Sequence, residues 1–359
     1  MLNRFRIPLQ EYRARRIALL KPSALGDIVH SLPVLTALRR RYPRAYIAWV
    51  VNHSYEALLQ GHPDLDATIP FHRGAAESGL FKSIWTYGEF IRRFRREDFD
   101  LVIDLQGLLR SGLITSSSGA ARKVGLSSAR EGASWFYTDV VPVADFNAIH
   151  AVDRYWLVAE AFGAGSGPKV FRVPIPAAER RWAAELLRDC PRPWIALGVG
   201  SRWMTKRWPP EHFAVLAGRA YRFAGGTAIF VGGRDETPLA RAAAEHFPGP
   251  TRDLTGRTTL PQLTAILNLA DVMIANDTGP LHLAAALGRP VVAPYTCTKV
   301  LLNGPYGAAR GAVESRVWCQ GHYIKRCDRL ECMAELTPDR LWPVLQDILQ
   351  RWQRNSLSA

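Results

Sequence analysis

The 359-residue sequence has no apolar stretch of signal-peptide length at its arginine-bearing start, MLNRFRIPLQEYRARR, and no segment long and uncharged enough to cross a bilayer. A cytoplasmic protein is the expectation. Cysteines are few and odd in number, five in all, with Cys319, Cys327 and Cys332 spaced by eight and five around His322. That pattern matches neither a secreted disulfide framework nor a paired C-x-x-C zinc knuckle, so a reduced chain without a metal site is expected. The dinucleotide fingerprint G-x-G-x-x-G is missing from both glycine turns that could carry it, SALGDIVH and GVGSRWM, which disfavours hydride transfer. A P-loop, an H-E-x-x-H pair and a nucleophile elbow are also missing. Acidic residues are scarce beside basic ones, 32 against 46, and the net charge of +14 favours an anionic partner: nucleic acid, an acidic lipid surface or a phosphorylated substrate.

What is present is a βα rhythm. From residue 16 short β-rich runs alternate with helical stretches: RIALLKPS, GDIVHSLPVLTALRRRYP, AYIAWVVN, SYEALLQG, ATIPF, SIWTYGEFIRRFRRE and DLVIDLQG. A turn-rich segment, EAFGAGSGPKVFRVPIP (160 to 176), interrupts it, and a second series starts at WIALGVGS. That series continues through EHFAVLAGRAYRF, GTAIFVGG, TPLARAAAEHF, LPQLTAILNLA, DVMIAND, GPLHLAAALG and RPVVAPY. The chain is too long for one ordinary core, and 48% hydrophobic residues supply two. The expected class is α/β: two tandem Rossmann-like doubly wound domains, 1–165 and 166–359, facing across a cleft, with the last helix a candidate to pack back on the first domain. Apolar strands spaced by helices imply a mostly parallel sheet whose ligands bind beyond the strands' carboxyl ends. Asp27, Asn52 and Gln106 fall just past such ends.

A helix N-terminus after a glycine turn usually receives phosphate, which Asp27 would repel. Asp27 therefore either caps the helix or serves a site built for something else. In the second domain, the amides of Thr278 and Gly279, the Thr278 hydroxyl and His282 could face a diphosphate, although Asp277 or Thr278 could equally cap that helix. Ser201, Lys206 and Arg207 lie in the loop after the domain's first strand, where a lysine can neutralise phosphate or simply be solvated. Glu236, after the next strand, is placed to bind ribose hydroxyls. The basic run IRRFRRED (91 to 98) reads as the solvated face of a helix, or as a contact for an anionic membrane surface.

Four stretches in order, LLKPSALGDIVHSLPVLTALRRRYP, FDLVIDLQGLLRSGL, KRWPPEHFAVLA and ANDTGPLHLAAALGRPVVAPY, resemble the lipopolysaccharide heptosyltransferases, members of glycosyltransferase family 9 with the two-domain GT-B fold. DLQGLLRSGL followed by SSAREGASWFY is most similar to the branch named heptosyltransferase I, which acts on Kdo-lipid A. The resemblance implies an inverting transferase that uses ADP-heptose as donor, an anionic glycolipid (Kdo-lipid A) as acceptor, no essential cofactor and no nucleic acid, at the cytoplasmic face of the inner membrane. Asp27 would be the general base, removing the proton of the attacking hydroxyl. Lys206 and Ser201 would meet the donor phosphates, Glu236 the ribose and the backbone near Thr258 the adenine. Asp277, Thr278, Gly279 and His282 would surround heptose and diphosphate, and Arg73, Gln106 and Arg130 would hold the acceptor. The chain departs from the family in reading TCTKVLLNGPYG after VVAPY, where G-P-T-[DS]-P is common, and in having few arginines after IPF. The alternatives are a related transferase using another nucleotide sugar or a glycan or protein acceptor, and a non-enzymatic clamp or nucleic-acid binder.

Overall fold

The computed structural model describes residues 7–72 and 80–357, and these form two compact units, Met1–Pro174 and Ile175–Ala359. The break falls later than the expected boundary at 165, although inside the turn-rich segment. The chain between is tied to the first unit: Lys169 pairs with Asp153 at 2.6 Å, Arg172 pairs with Asp64 at 2.8 Å, and the Arg172 carbonyl meets His62 Nε2 at 2.9 Å.

In the first unit, strands β1 (Arg16–Leu20), β2 (Tyr46–Asn52), β3 (Ala67–Phe71), β4 (Leu101–Asp104), β5 (Arg122–Leu126) and β6 (Asp139–Val141) form one parallel sheet in the order β3-β2-β1-β4-β5-β6. Ile17, Ala18, Leu19 and Leu20 of β1 are wholly buried, as a strand covered on both faces must be. Helices α1 (Leu25–Arg41), α2 (His53–Glu56), α3 (Leu80–Arg96), α4 (Leu109–Ser117) and α5 (Ala151–Ala161) complete the unit. α1 carries its only first-turn acid, Asp27, at the amino end and Arg39, Arg40 and Arg41 at the carboxyl end, complementing the helix dipole at both.

The second unit repeats the plan. α6 (Ala177–Leu187) leads into β7 (Trp194–Gly198), α7 (Pro210–Ala224), β8 (Thr227–Phe230), α8 (Thr237–Glu245), β9 (Thr251–Asp253), α9 (Leu260–Leu269), β10 (Val272–Ala275), α10 (Gly279–Ala286), β11 (Val291–Tyr295), α11 (Val300–Asn303), β12 (Ala312–Glu314), α12 (Glu331–Glu335) and α13 (Pro338–Leu357). Its sheet runs β9-β8-β7-β10-β11-β12, so counted from each unit's first strand both sheets have the order 3-2-1-4-5-6. The strand order reverses between β1 and β4 and between β7 and β10, which is where doubly wound sheets hold ligands. α13 buries Leu341, Leu345 and Leu349, one apolar side chain per turn, in the same core as α7 and the fully buried Trp208. The Trp208 indole donates to the Leu336 carbonyl at 2.6 Å.

The expected α/β pattern is present, with corrections at its margins. β5, β6, β9 and β12 are three- to five-residue edge or near-edge strands; β9 is the polar run Thr251–Asp253, with no apolar stretch to announce it. SYEALLQG, read as a helix, is helical only through Glu56 and then turns.

Candidate functional site

At the carboxyl edge of the first sheet, β1 ends at Leu20, and Lys21 follows it into the turn that opens α1. Asp27 stands at the third position of that helix. One of its oxygens, Oδ2, accepts the Ala24 backbone N–H at 3.1 Å, which is the acidic half of a capping box. The other, Oδ1, accepts the Tyr155 hydroxyl at 3.2 Å, and the carboxylate stays 41% exposed. Asp27 therefore both caps its helix and presents a charge outward. Behind it lies Lys21, with only 3% of its side chain exposed. The Lys21 ammonium donates to the Leu105 carbonyl at 3.1 Å and to the Tyr155 hydroxyl at 2.8 Å, 3.9 Å from Asp27 Oδ1. Burial works to strip the Lys21 proton, yet Asp27, Tyr155 and Asp104 hold its affinity above the ordinary lysine value.

Across the switch point, Asp104 ends β4 in full burial. It accepts the amides of Gln106 at 2.8 Å and Gly107 at 3.0 Å and the Tyr137 hydroxyl at 2.8 Å. Burial nonetheless wins over those bonds and raises the Asp104 carboxyl above its usual range; the Tyr137 phenol, buried beside it, is raised as well. The Tyr137 ring lies on Gly125, where a Cβ would come within 2.1 Å of the ring, so β5 needs glycine at that position.

Of the residues expected to hold the acceptor, Arg73 lies outside the described residues. Gln106 is at this edge, and its side-chain oxygen is buried without a partner among the described residues. Arg130 is anchored by its backbone N–H to the Gly107 carbonyl at 2.8 Å, with its side chain exposed. Arg154, 9% exposed on α5, has its guanidinium 4.4 Å from the Phe146 ring and 5.5 Å from the Tyr155 ring.

The second unit gathers its residues on the loops after β7, β8, β9 and β10. Asp277, which follows β10, is the hub. It takes the Lys206 ammonium at 2.5 Å, the His282 imidazole Nε2 at 3.2 Å, the Thr298 hydroxyl at 2.7 Å and the Tyr295 hydroxyl at 3.4 Å. Burial would raise this carboxyl, but the His282 hydrogen bond and the Lys206 charge overcome it and hold Asp277 well below the carboxylate range. Lys206 is consequently an ion-paired lysine, with its Nζ also 4.7 Å from the Trp203 ring. Thr278 is the N-cap residue of α10, yet its hydroxyl donates to the Asn276 carbonyl at 3.1 Å and does not cap the helix amides. Pro280 has no N–H and the His282 N–H donates to the Thr278 carbonyl at 3.4 Å, so the first-turn groups left to face an anion are the N–H groups of Gly279 and Leu281.

Asn276, fully buried, joins the two sides of this switch point. Its side-chain amide donates to the Val199 and Gly200 carbonyls at 2.9 and 3.2 Å, and its side-chain oxygen accepts the Trp208 backbone N–H at 3.1 Å. Ser201, nearly buried, lies in the same loop, where its carbonyl accepts Arg207 Nε at 2.6 Å. Glu236 accepts the Gly233 N–H at 2.9 Å and packs over Gly200, where a Cβ would lie 2.1 Å from its carboxylate. Burial raises the Glu236 carboxyl, against the lowering effect of the Gly233 bond. Thr258, partly buried, precedes the Thr259 cap of α9 on the loop after β9. The structure thus brings Ser201, Lys206, Glu236, Thr258, Asp277, Thr278, Gly279 and His282 to one sheet edge.

Sequence reasoning missed Lys21, Tyr155, Asp104, Tyr137, Asn276, Tyr295 and Thr298. Lys21 had a readable signal, a cation ending the otherwise apolar run IALL, and so had Asn276, a polar residue ending VMIA. Tyr155 and Thr298 had none, since only the tertiary fold brings them beside Asp27 and Asp277.

Sequence and structure comparisons agree on the kind of protein this edge geometry belongs to. The family model described as Glycosyltransferase family 9 (heptosyltransferase) matches residues 87–333. The chain is 31% identical over 320 residues to lipopolysaccharide heptosyltransferase 1 of Pseudomonas aeruginosa, covering 87% of each protein. It is 26% identical to lipopolysaccharide core heptosyltransferase OpsX of Haemophilus influenzae, covering 84% of each. Among solved structures, E. coli heptosyltransferase WaaC with ADP superposes with a TM-score of 0.72 at 25% identity, over 93% of this chain and 99% of that one.

Proposed function

The chain belongs to glycosyltransferase family 9, the heptosyltransferases, and from that premise we propose that it transfers heptose from ADP-L-glycero-D-manno-heptose to the Kdo region of inner-core lipopolysaccharide, with Asp27 as general base. The observation that carries this reading is the Asp27 carboxylate, held by Ala24 and Tyr155 on one side and open to solvent on the other. In the transfer, Asp27 takes the proton of an acceptor hydroxyl while that oxygen bonds to the anomeric carbon. The bond from that carbon to the diphosphate oxygen breaks on the opposite face, and ADP leaves with the electron pair, so the configuration inverts.

The donor belongs to the second unit. An ammonium has three protons, so Lys206 can keep Asp277 and still donate to a phosphate oxygen. Together with the α10 amides it offsets the charge that develops on the leaving diphosphate. Glu236 takes the ribose hydroxyls, Ser201 a phosphate, and the backbone at Thr258 the adenine, while His282, Thr278 and Gly279 surround the sugar. This assignment needs no metal ion, and activity is expected to persist in a chelator; loss restored by a divalent cation would refute it. Gln106, Arg130 and Arg73 are the acceptor contacts, since Kdo carboxylates and lipid A phosphates are matched by guanidinium groups.

We place the enzyme at the cytoplasmic face of the inner membrane as a peripheral protein. The net charge of +14 supports this, as do Arg92, Arg93, Arg95 and Arg96, all exposed on α3. No helix among the described residues is long and apolar enough to cross a membrane.

The test is the mass of a delipidated Kdo-lipid A acceptor after incubation with the protein and ADP-heptose. The expected result is a gain of one heptose that is lost in Asp27→Asn. No gain while ADP-heptose still binds would leave the donor site standing and refute the acceptor.

A further inference from the structure

We infer that Lys21 is a positioning residue of the transfer reaction: through the Tyr155 hydroxyl it fixes the orientation of the Asp27 carboxylate. The inference rests on the reading of Asp27 as the base. Its own evidence is the chain of contacts behind that residue.

The contacts have a forced direction. A lysine ammonium has no acceptor, so in the 2.8 Å contact it is Lys21 that donates and the Tyr155 oxygen that accepts. Tyr155 has a single proton. With its oxygen already facing Lys21, that proton is free to be donated to Asp27 Oδ1, 3.2 Å away. Asp27 Oδ2 is held independently by the Ala24 N–H. One bond to each oxygen fixes the carboxylate rotamer and leaves further lone pairs on its exposed side. In such a chain each bond polarises the next.

The position of Lys21 is unexplained by packing. Burying an ammonium is costly unless it is closely paired, and here the two hydrogen-bond partners, the Leu105 carbonyl and the Tyr155 hydroxyl, are neutral. The carboxylates that face it are Asp27 of α1, at 3.9 Å, and Asp104 of β4. On the sheet side its backbone is held by the Val50 carbonyl and the Trp49 indole. An apolar side chain of similar length would fill the same space at the end of β1. The charge therefore serves the groups it touches, and the only exposed one among them is Asp27.

Lys21→Met keeps the length of the side chain and removes the charge, and Tyr155→Phe removes only the hydroxyl. If the chain positions the base, each lowers kcat about ten- to a hundredfold, since small misplacements of a reacting group are that expensive, with KM for donor and acceptor nearly unchanged. Lys21→Arg restores part of the loss. In an Asp27→Asn background, whose residual rate is read by product mass over long incubations, adding Tyr155→Phe produces no further loss. Loss of activity in Asp27→Asn together with full kcat in Tyr155→Phe and Lys21→Met would overturn the inference and leave the base in place. An active Asp27→Asn would overturn both. Should Lys21→Met fail to fold, Tyr155→Phe decides alone.

Discussion

Replacing Asp277 by alanine isolates the hub of the second unit. The side chain is 5% exposed and holds an ammonium that is itself only 16% exposed. Removing the carboxylate leaves Lys206 as a nearly buried charge without its counter-ion, and deprives His282, Thr298 and Tyr295 of an acceptor. Removing one partner of a buried pair costs about 3–5 kcal/mol. The three hydrogen bonds belong to the same network and do not add independently, and partial exposure lets Lys206 recover some hydration, so about 3 kcal/mol is the working figure. For a unit of this size each kcal/mol moves the melting midpoint by roughly 2–4 °C, so the expected drop is on the order of 10 °C. Asp277→Asn keeps the shape and some hydrogen bonds but lacks the charge, and should fall in between. The pH dependence has a definite sign. A carboxyl held below its ordinary value of 3.8 stabilises the fold above that value and loses its contribution as pH falls further. The gap between wild type and Asp277→Ala is thus constant from about pH 5 to 8 and narrows in stronger acid. Thermal melts monitored by circular dichroism across this range give the answer. A drop below about 2 °C at neutral pH would refute the claim that Asp277 organises this edge.

Gly200→Ala drives a methyl group against the Glu236 carboxylate, which can swing aside because it is the end of a flexible side chain. ADP binding by calorimetry should weaken about tenfold with little change in melting temperature, and unchanged affinity would remove Glu236 from the donor site. Asp104→Asn tests the buried carboxyl of the first unit. Because burial raises Asp104, its contribution is full below the ordinary value of 3.8 and is lost as pH rises through the raised value. The melting temperature of wild type relative to Asp104→Asn should therefore fall from about pH 4 to pH 7.5, and a flat difference would refute the burial argument.

The central strands were legible because they are buried on both faces: IALL, IAWVV and VMIA have no polar position to obscure the pattern. Edge strands such as the polar Thr251–Asp253 are defined by pairing with β8, which a local reading of residues does not contain. The site followed the same division. Asp27, Asp277 and Thr278 could be placed at strand-to-helix turns, and His282 one turn into the second such helix, from residue spacing, while their roles came from the family resemblance. That Asp277 is ion-paired to Lys206, from a loop 71 residues away, was not readable.

Hydrophobic periodicity and turn chemistry act over a few neighbouring residues, and they were enough to set the alternation of strands and helices, the duplication of one doubly wound plan and the turns that carry the charged residues. Tertiary structure alone decided the environments of those residues. Tyr155 reaches Asp27 across 128 positions, and Lys21 is buried against Leu105 across 84. Charge state, orientation and exposure depend on which side chains meet in space, and those meetings exist only once the sheets have formed.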